Sequence, residues 1–147
     1  MSAVVVFDSN YGNTERVAEA IAAGIGGATT VSVARLDPAN LQADLLVVGS
    51  PINGWRPTAA MQKFLAGFGA AQLAGTRAAA FDTRVRLFIH GDAAGKISRA
   101  LENAGATIVA RPRGFIVKGT EGPLLDGELE AATAWGRSIA AEVARTA

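Results

Sequence analysis

Hydrophobic positions along this chain fall in short unbroken runs, separated by longer stretches in which apolar residues return every three or four places. AVVVF at 3–7 and DLLVVG at 44–49 show no polar alternation within their apolar runs, the pattern of strands covered on both faces. TTVSVA at 29–34 alternates and is β-rich, and RAAAF at 77–81 reads as a fourth strand. A fifth, near 107–118, is interrupted by Arg111, Pro112, Arg113 and Gly114, which predicts a bent or split strand. After the first strand, Val17, Ile21 and Ile25 recur every four residues beside Ala18, Ala20 and Ala22, predicting a helix that Gly24, Gly26 and Gly27 stop. Further helix patterns lie at 58–68, 92–104 and 126–145. The last sets Leu129, Ala132, Trp135, Ile139 and Val143 at steps of three and four, with Asp126 as its expected cap ahead of Glu128.

Strands alternating with helices along the whole chain imply right-handed βαβ crossovers and one parallel sheet with helices on both faces. The 147 residues suit one domain, 1–147, with a full core. In open sheets of this kind ligands bind beyond the carboxyl ends of the strands, where the strand order reverses. That rule directs attention to residues 8–14, 50–57, 82–92 and 118–125.

Composition narrows the chemistry available there. Half the residues are hydrophobic and only 18% are charged, which fits a thick core flanked by small-residue helices. Fourteen basic against thirteen acidic residues, in no block of like sign, give no argument for nucleic acid or an anionic membrane as partner. With no Cys there is no thiol catalysis, disulfide or sulfur-ligated metal, and one His precludes a multi-His metal site. No run approaches the length of a membrane span and no signal peptide is recognisable, so a cytoplasmic location is expected.

The first turn, DSNYGNTE, sets Ser9, Asn10, Tyr11, Asn13 and Thr14 around Gly12 at a helix start. Free backbone N–H groups, the helix dipole and short polar side chains make such a turn a site for a phosphate without any Lys. The same turn also reads as an ordinary helix start capped by Asn13 or Thr14. In the second turn, GSPINGWRP, Asn53 and Gly54 readily take positive φ, and Trp55 reads either as packing or as a stacking platform. The third, FDTRVRLFIHGD, offers Asp82 and Thr83 as first residues beyond a strand end, with Arg84 after them. Asp92 reads as a helix cap there, and His90 as part of an exposed polar loop.

Taken together the three turns resemble those of the flavodoxin-like family, specifically small flavodoxins of the short-chain type. Ser9, Gly12, Asn13 and Thr14 match the family's phosphate loop, with Tyr11 where a Thr is usual. Gly49, Ser50 and Pro51 open the first flavin-flanking loop; the third turn takes the place of the second such loop but lacks its Tyr. The resemblance implies a flavodoxin-like three-layer α/β sandwich, a five-stranded parallel sheet of order 2-1-3-4-5, and FMN as cofactor. It further implies that residues 9–14 hold the phosphate, while Ser50, Pro51, Ile52, Asn53, Gly54 and Trp55 face Asp82, Thr83 and Arg84 across the flavin.

On that reading the protein shuttles single electrons between a reductase and an acceptor protein through the flavin semiquinone and hydroquinone, with no protein acid or nucleophile involved. Neither nucleic acid nor membrane is an expected partner, and a monomer or weak dimer is the expected state. Flavodoxins turn a peptide of the first flanking loop toward the flavin when the semiquinone gains its proton, which points here to Asn53-Gly54. Gly54→Val is therefore expected to lower the semiquinone yield in a reductive titration. Near-neutral charge, with Arg56 and Arg84 beside the ring, leads us to expect a less negative hydroquinone couple than in acidic flavodoxins and a weak or inverted salt dependence of partner association. Three other readings share this fold: an FMN-dependent NAD(P)H:quinone oxidoreductase, a flavodoxin-like binding module without FMN, and a phospho-receiver domain. The last is set aside because Ser50 stands where its phosphorylated Asp would be.

Overall fold

A computed structural model describes residues 1–53, 55–86 and 91–146. The elements run β1 (Ala3–Phe7), α1 (Asn13–Ile25), β2 (Thr29–Ser32), β3 (Leu45–Pro51), α2 (Ala59–Ala66), β4 (Arg77–Val85), α3 (Ala93–Asn103), β5 (Thr107–Ile108), β6 (Arg113–Val117) and α4 (Glu128–Arg145). All sheet pairings are parallel, in the order β2-β1-β3-β4-β5, with β6 also on β4. This is the expected 2-1-3-4-5 order, its fifth position shared by two short strands. Arg77 faces Thr107 and Phe81 faces Arg113, so the outer chain carries two extra residues at its break. Pro112, which has no N–H to give, sits in that break.

The unbroken apolar runs have a direct cause: successive residues of one strand enter different cores. Val5, Val47, Ala79 and Phe81 face α1 and α4, meeting Ile21, Phe115, Trp135 and Ile139. Val6, Leu46, Val48, Ala78 and Ala80 face α2 and α3, meeting Met61, Phe64, Ile97 and Leu101. In the first layer Phe81, Phe115 and Trp135 form a mutual edge-to-face triangle with centroids 6.0–6.3 Å apart, which fixes Trp135 as a core residue.

Several local expectations are corrected. Gly24 does not stop α1; it lies inside the helix against α4, and Gly26 is the cap. Neither Asn13 nor Thr14 caps α1: Gly12 does, at φ 89°, without a side-chain bond. Asp126 does not cap α4 either; Gly127 does, at φ 88°, and Glu128 instead accepts the Ile116 N–H at 2.7 Å. β2 ends at Ser32 in a 3₁₀ turn, and β4 runs on to Val85, so Asp82 and Thr83 lie within the strand rather than beyond it. Asp92 does cap α3, accepting the Gly95 N–H at 2.8 Å. Among the described residues no helix is long and apolar enough to cross a membrane, and no group of three or more His, Asp or Glu could hold a metal ion.

Candidate functional site

At the carboxyl edge of the sheet, where β1 and β3 send their chains to opposite faces, four loops meet around a cleft of about 170 Å³. Asn10, Tyr11, Asn13 and Thr14 come from the β1–α1 turn, Pro51 and Ile52 from the end of β3, and Thr83, Arg84 and Val85 from β4. Val117 and Thr120, at the end of β6 and beyond, complete it.

The β1–α1 turn is shaped by its own polar atoms. Ser9 Oγ accepts the Gly12 N–H at 2.9 Å, and Asp8 accepts the Ser9 N–H at 3.0 Å. Gly12 takes the left-handed conformation this closure requires, with open space where a Cβ would project. The N–H groups of Asn13, Thr14 and Glu15 then begin the helix without intrahelical acceptors. Two contacts tie the turn to its neighbours: Thr14 and Thr83 share a buried hydroxyl hydrogen bond of 2.8 Å, and Asn13 Nδ2 donates to the Glu121 carbonyl at 3.1 Å.

Deeper in the fold, Thr58 Oγ1 donates to Asp8 at 2.5 Å while accepting the Met61 N–H, so one hydroxyl caps α2 and joins it to β1. Ser50 is fully buried; its Oγ donates to the Pro51 carbonyl and accepts the Thr58 N–H. Gly49 leaves room for the Phe81 ring, whose nearest atom would lie 2.1 Å from an added Cβ. Gly49 and Ser50 are thus explained by packing and loop closure beneath the cleft, and Pro51 by its place on the cleft wall.

Asp82 is fully buried and bound on three sides. Its carboxylate accepts Arg84 Nε at 2.7 Å, Arg84 Nη2 at 2.5 Å and the Ala94 N–H at 2.9 Å. The hydrogen bond to Asp82 raises the Arg84 pKa further above its ordinary value, against the opposing effect of burial, so the guanidinium stays charged. Asp92 lies 3.8 Å from the same group. The expectation of a cationic ring site therefore needs correcting at Arg84, whose charge is met by two carboxylates, and at Arg56, which lies away from the cleft. Among the described residues no Asp or Glu lines the cleft.

Of the fifteen residues singled out in the sequence, Asn10, Tyr11, Asn13, Thr14, Pro51, Ile52, Thr83 and Arg84 line this cleft. Ser9 and Gly12 shape its first loop, while Ser50 and Asp82 lie beneath. Asn53 pairs backbone to backbone with Arg56, closing a tight turn at Trp55, which takes φ 73° and is 57% exposed. The Trp55 side borders a separate groove between α2 and α3. Gly54 and His90 lie outside the described residues, and so does Phe88. Sequence reasoning missed Val117 and Thr120; the strand-end rule marked 118–125, but its glycine-rich KGTEG offered no motif to single out Thr120.

Asparagine amides, threonine hydroxyls and first-turn N–H groups at one end, with Pro51, Ile52, Val85 and Val117 at the other, suit a phosphate joined to a flat apolar ring. FMN is such a group, and the donor set fits it. The comparisons agree. No curated protein matches the chain by sequence. Among solved structures, a flavodoxin from the domain Archaea is 26% identical with TM-score 0.77, covering 98% of this chain and 99% of that one. Oxidised flavodoxin 1 from Bacillus cereus is 22% identical with TM-score 0.81, covering 100% and 99%. A short-chain flavodoxin associated with a non-canonical PDU bacterial microcompartment is 18% identical with TM-score 0.74, covering 99% and 98%. The sequence model described as flavodoxin matches residues 5–135, and by that match the chain belongs to the flavodoxin family, whose cofactor is FMN.

Proposed function

We propose that this chain is an FMN-carrying electron-transfer protein that passes single electrons between a reductase and an acceptor protein. The observation that carries the reading is the cleft itself: polar at the α1 end, with Pro51, Ile52, Val85 and Val117 as its apolar wall, and with no Asp, Glu or Lys among the described residues that line it. FMN, when bound, supplies the electron chemistry. In this assignment the N–H groups of the first turn of α1, with Thr14, Asn10 and Asn13, hold the phosphate. Pro51, Ile52 and Val85 exclude water from the ring, and Tyr11, 55% exposed, covers the mouth. Thr83 holds Thr14 in place through their shared hydrogen bond. Because no carboxylate lines the cleft, we expect the second one-electron couple to be less negative than in acidic flavodoxins, although Arg84 adds no free charge.

The test is titration of the purified chain with FMN, followed by flavin fluorescence and visible absorption, then stepwise reduction against redox dyes. We expect quenched flavin fluorescence, one FMN per chain and two resolved one-electron waves. No binding at micromolar FMN would refute the reading; binding with a single two-electron wave would favour the quinone-reductase alternative.

A further inference from the structure

A concavity larger than the cofactor cleft lies elsewhere on the fold. It is a groove of about 630 Å³ between α2 and α3, on the face carrying the second core layer, and it includes no residue that lines the cleft. Leu65 of α2, Phe68 just after it and Ala100 of α3 give the groove its apolar floor. Phe68 is held by an edge-to-face contact with the buried Phe64 at 5.2 Å, and the Leu73 N–H bound to the Ala104 carbonyl at 2.9 Å closes one end.

Three further features give the groove a chemical character. Trp55 stands at its rim in a left-handed conformation, an arrangement costly for a bulky residue, and is fixed there by close backbone packing. An added Cβ at Gly91 would lie 2.2 Å from Trp55 Cα, and the Trp55 carbonyl accepts the Asp92 N–H at 3.4 Å. Arg56 and Lys96 supply two positive charges, and neither makes an ion pair or side-chain hydrogen bond among the described residues. No Asp or Glu lines the groove.

From this combination we infer that the α2–α3 groove binds a planar aromatic anion. Its ring lies on Leu65, Phe68 and Ala100 against the Trp55 indole, and its carboxylate, sulfonate or phosphate is met by Arg56 and Lys96. The volume falls within the roughly 300–1,000 Å³ usual for small-molecule sites. An apolar floor with two unpaired cations discriminates for an anionic aromatic over a neutral one of the same shape.

Isothermal titration of the FMN-loaded chain with 2-naphthoate, and with 2-naphthalenemethanol as its uncharged counterpart, tests the inference. The acid is expected to bind at least tenfold more tightly than the alcohol. Lys96→Glu, an exposed change on α3, is expected to weaken the acid tenfold or more. Ala100→Trp, which fills the floor, should abolish binding of both. FMN affinity, measured separately, should stay within twofold in both variants, since neither position lines the cleft. No measurable binding of naphthoate by the wild-type chain, equal affinity for acid and alcohol, or full binding by Ala100→Trp would each overturn the inference, whatever the chain does with FMN.

Discussion

Gly136→Ala is expected to destabilise this chain by about 2 kcal/mol, although alanine is the better helix former by about 1 kcal/mol. The reason lies in how α1 and α4 meet. A Cβ at Gly136 would stand 2.3 Å from the Ile21 carbonyl oxygen, and one at Gly24 would stand 2.0 Å from the Thr133 carbonyl oxygen. Each helix gives up a side chain so that the backbone of the other can approach. Neither obstacle is a rotatable side chain, so relief requires the helices to part, which loosens Ile21, Trp135 and Ile139 between them. Thermal unfolding should show Tm lowered by roughly 4–8 °C for either Gly136→Ala or Gly24→Ala. An unchanged or raised Tm would show that the two helices are not held at this distance.

That contact also marks where sequence reasoning stops. Gly24 looks like a terminator because helix-breaking glycines cluster with it, at 26 and 27; its actual partner lies more than a hundred residues away. The strands were legible for the opposite reason. A strand buried on both faces must be apolar at every position, so AVVVF and LLVV declare themselves locally. The β1–α1 turn was legible because its chemistry is local too: Ser9, Gly12 and the first turn of α1 close on one another within a few residues. Asp82 was misplaced because a carboxylate after an apolar run looks like the beginning of a loop. A signal was present, since Asp82 and Arg84, two apart, share one face of a strand. Trp55, expected beside the flavin, borders the α2–α3 groove instead, and no motif in the sequence marks that groove.

The two cations nearest the predicted ring site show why counting charges along a sequence misjudges a field. Arg84 is 18% exposed in its side chain and sits against the fully buried Asp82, so at any distance beyond a few ångströms the pair is close to neutral. Arg56 lies on the wall of the α2–α3 groove and not on the cleft. What distinguishes the cleft electrostatically is therefore the lack of carboxylates on its walls, a property of the assembled loops and not of net charge.

Asp82→Ala should be the most damaging polar substitution in the chain, costing about 3 kcal/mol or more. It takes from the Arg84 guanidinium its nearest carboxylate, Asp92 being 3.8 Å away and half exposed, and it orphans the Ala94 N–H at the start of α3. Asp82→Asn keeps an acceptor for Ala94 but loses the ion pair, and should fall between. Replacing both members, Asp82→Ala with Arg84→Ala, removes the two partners together, so the double variant should be less destabilised than the sum of the singles, with a coupling of about 2 kcal/mol. Urea midpoints for the wild type, the two single alanine variants, the double variant and Asp82→Asn measure this directly. FMN binding gives a second readout: Thr83, next to Asp82, holds Thr14 through their 2.8 Å hydrogen bond, so a loosened β4 end should weaken the phosphate site and raise the FMN dissociation constant about tenfold. Additive stabilities would mean that Asp82 and Arg84 act separately. Lost stability with unchanged FMN affinity would mean that the pair secures α3 to the sheet and leaves the cleft untouched.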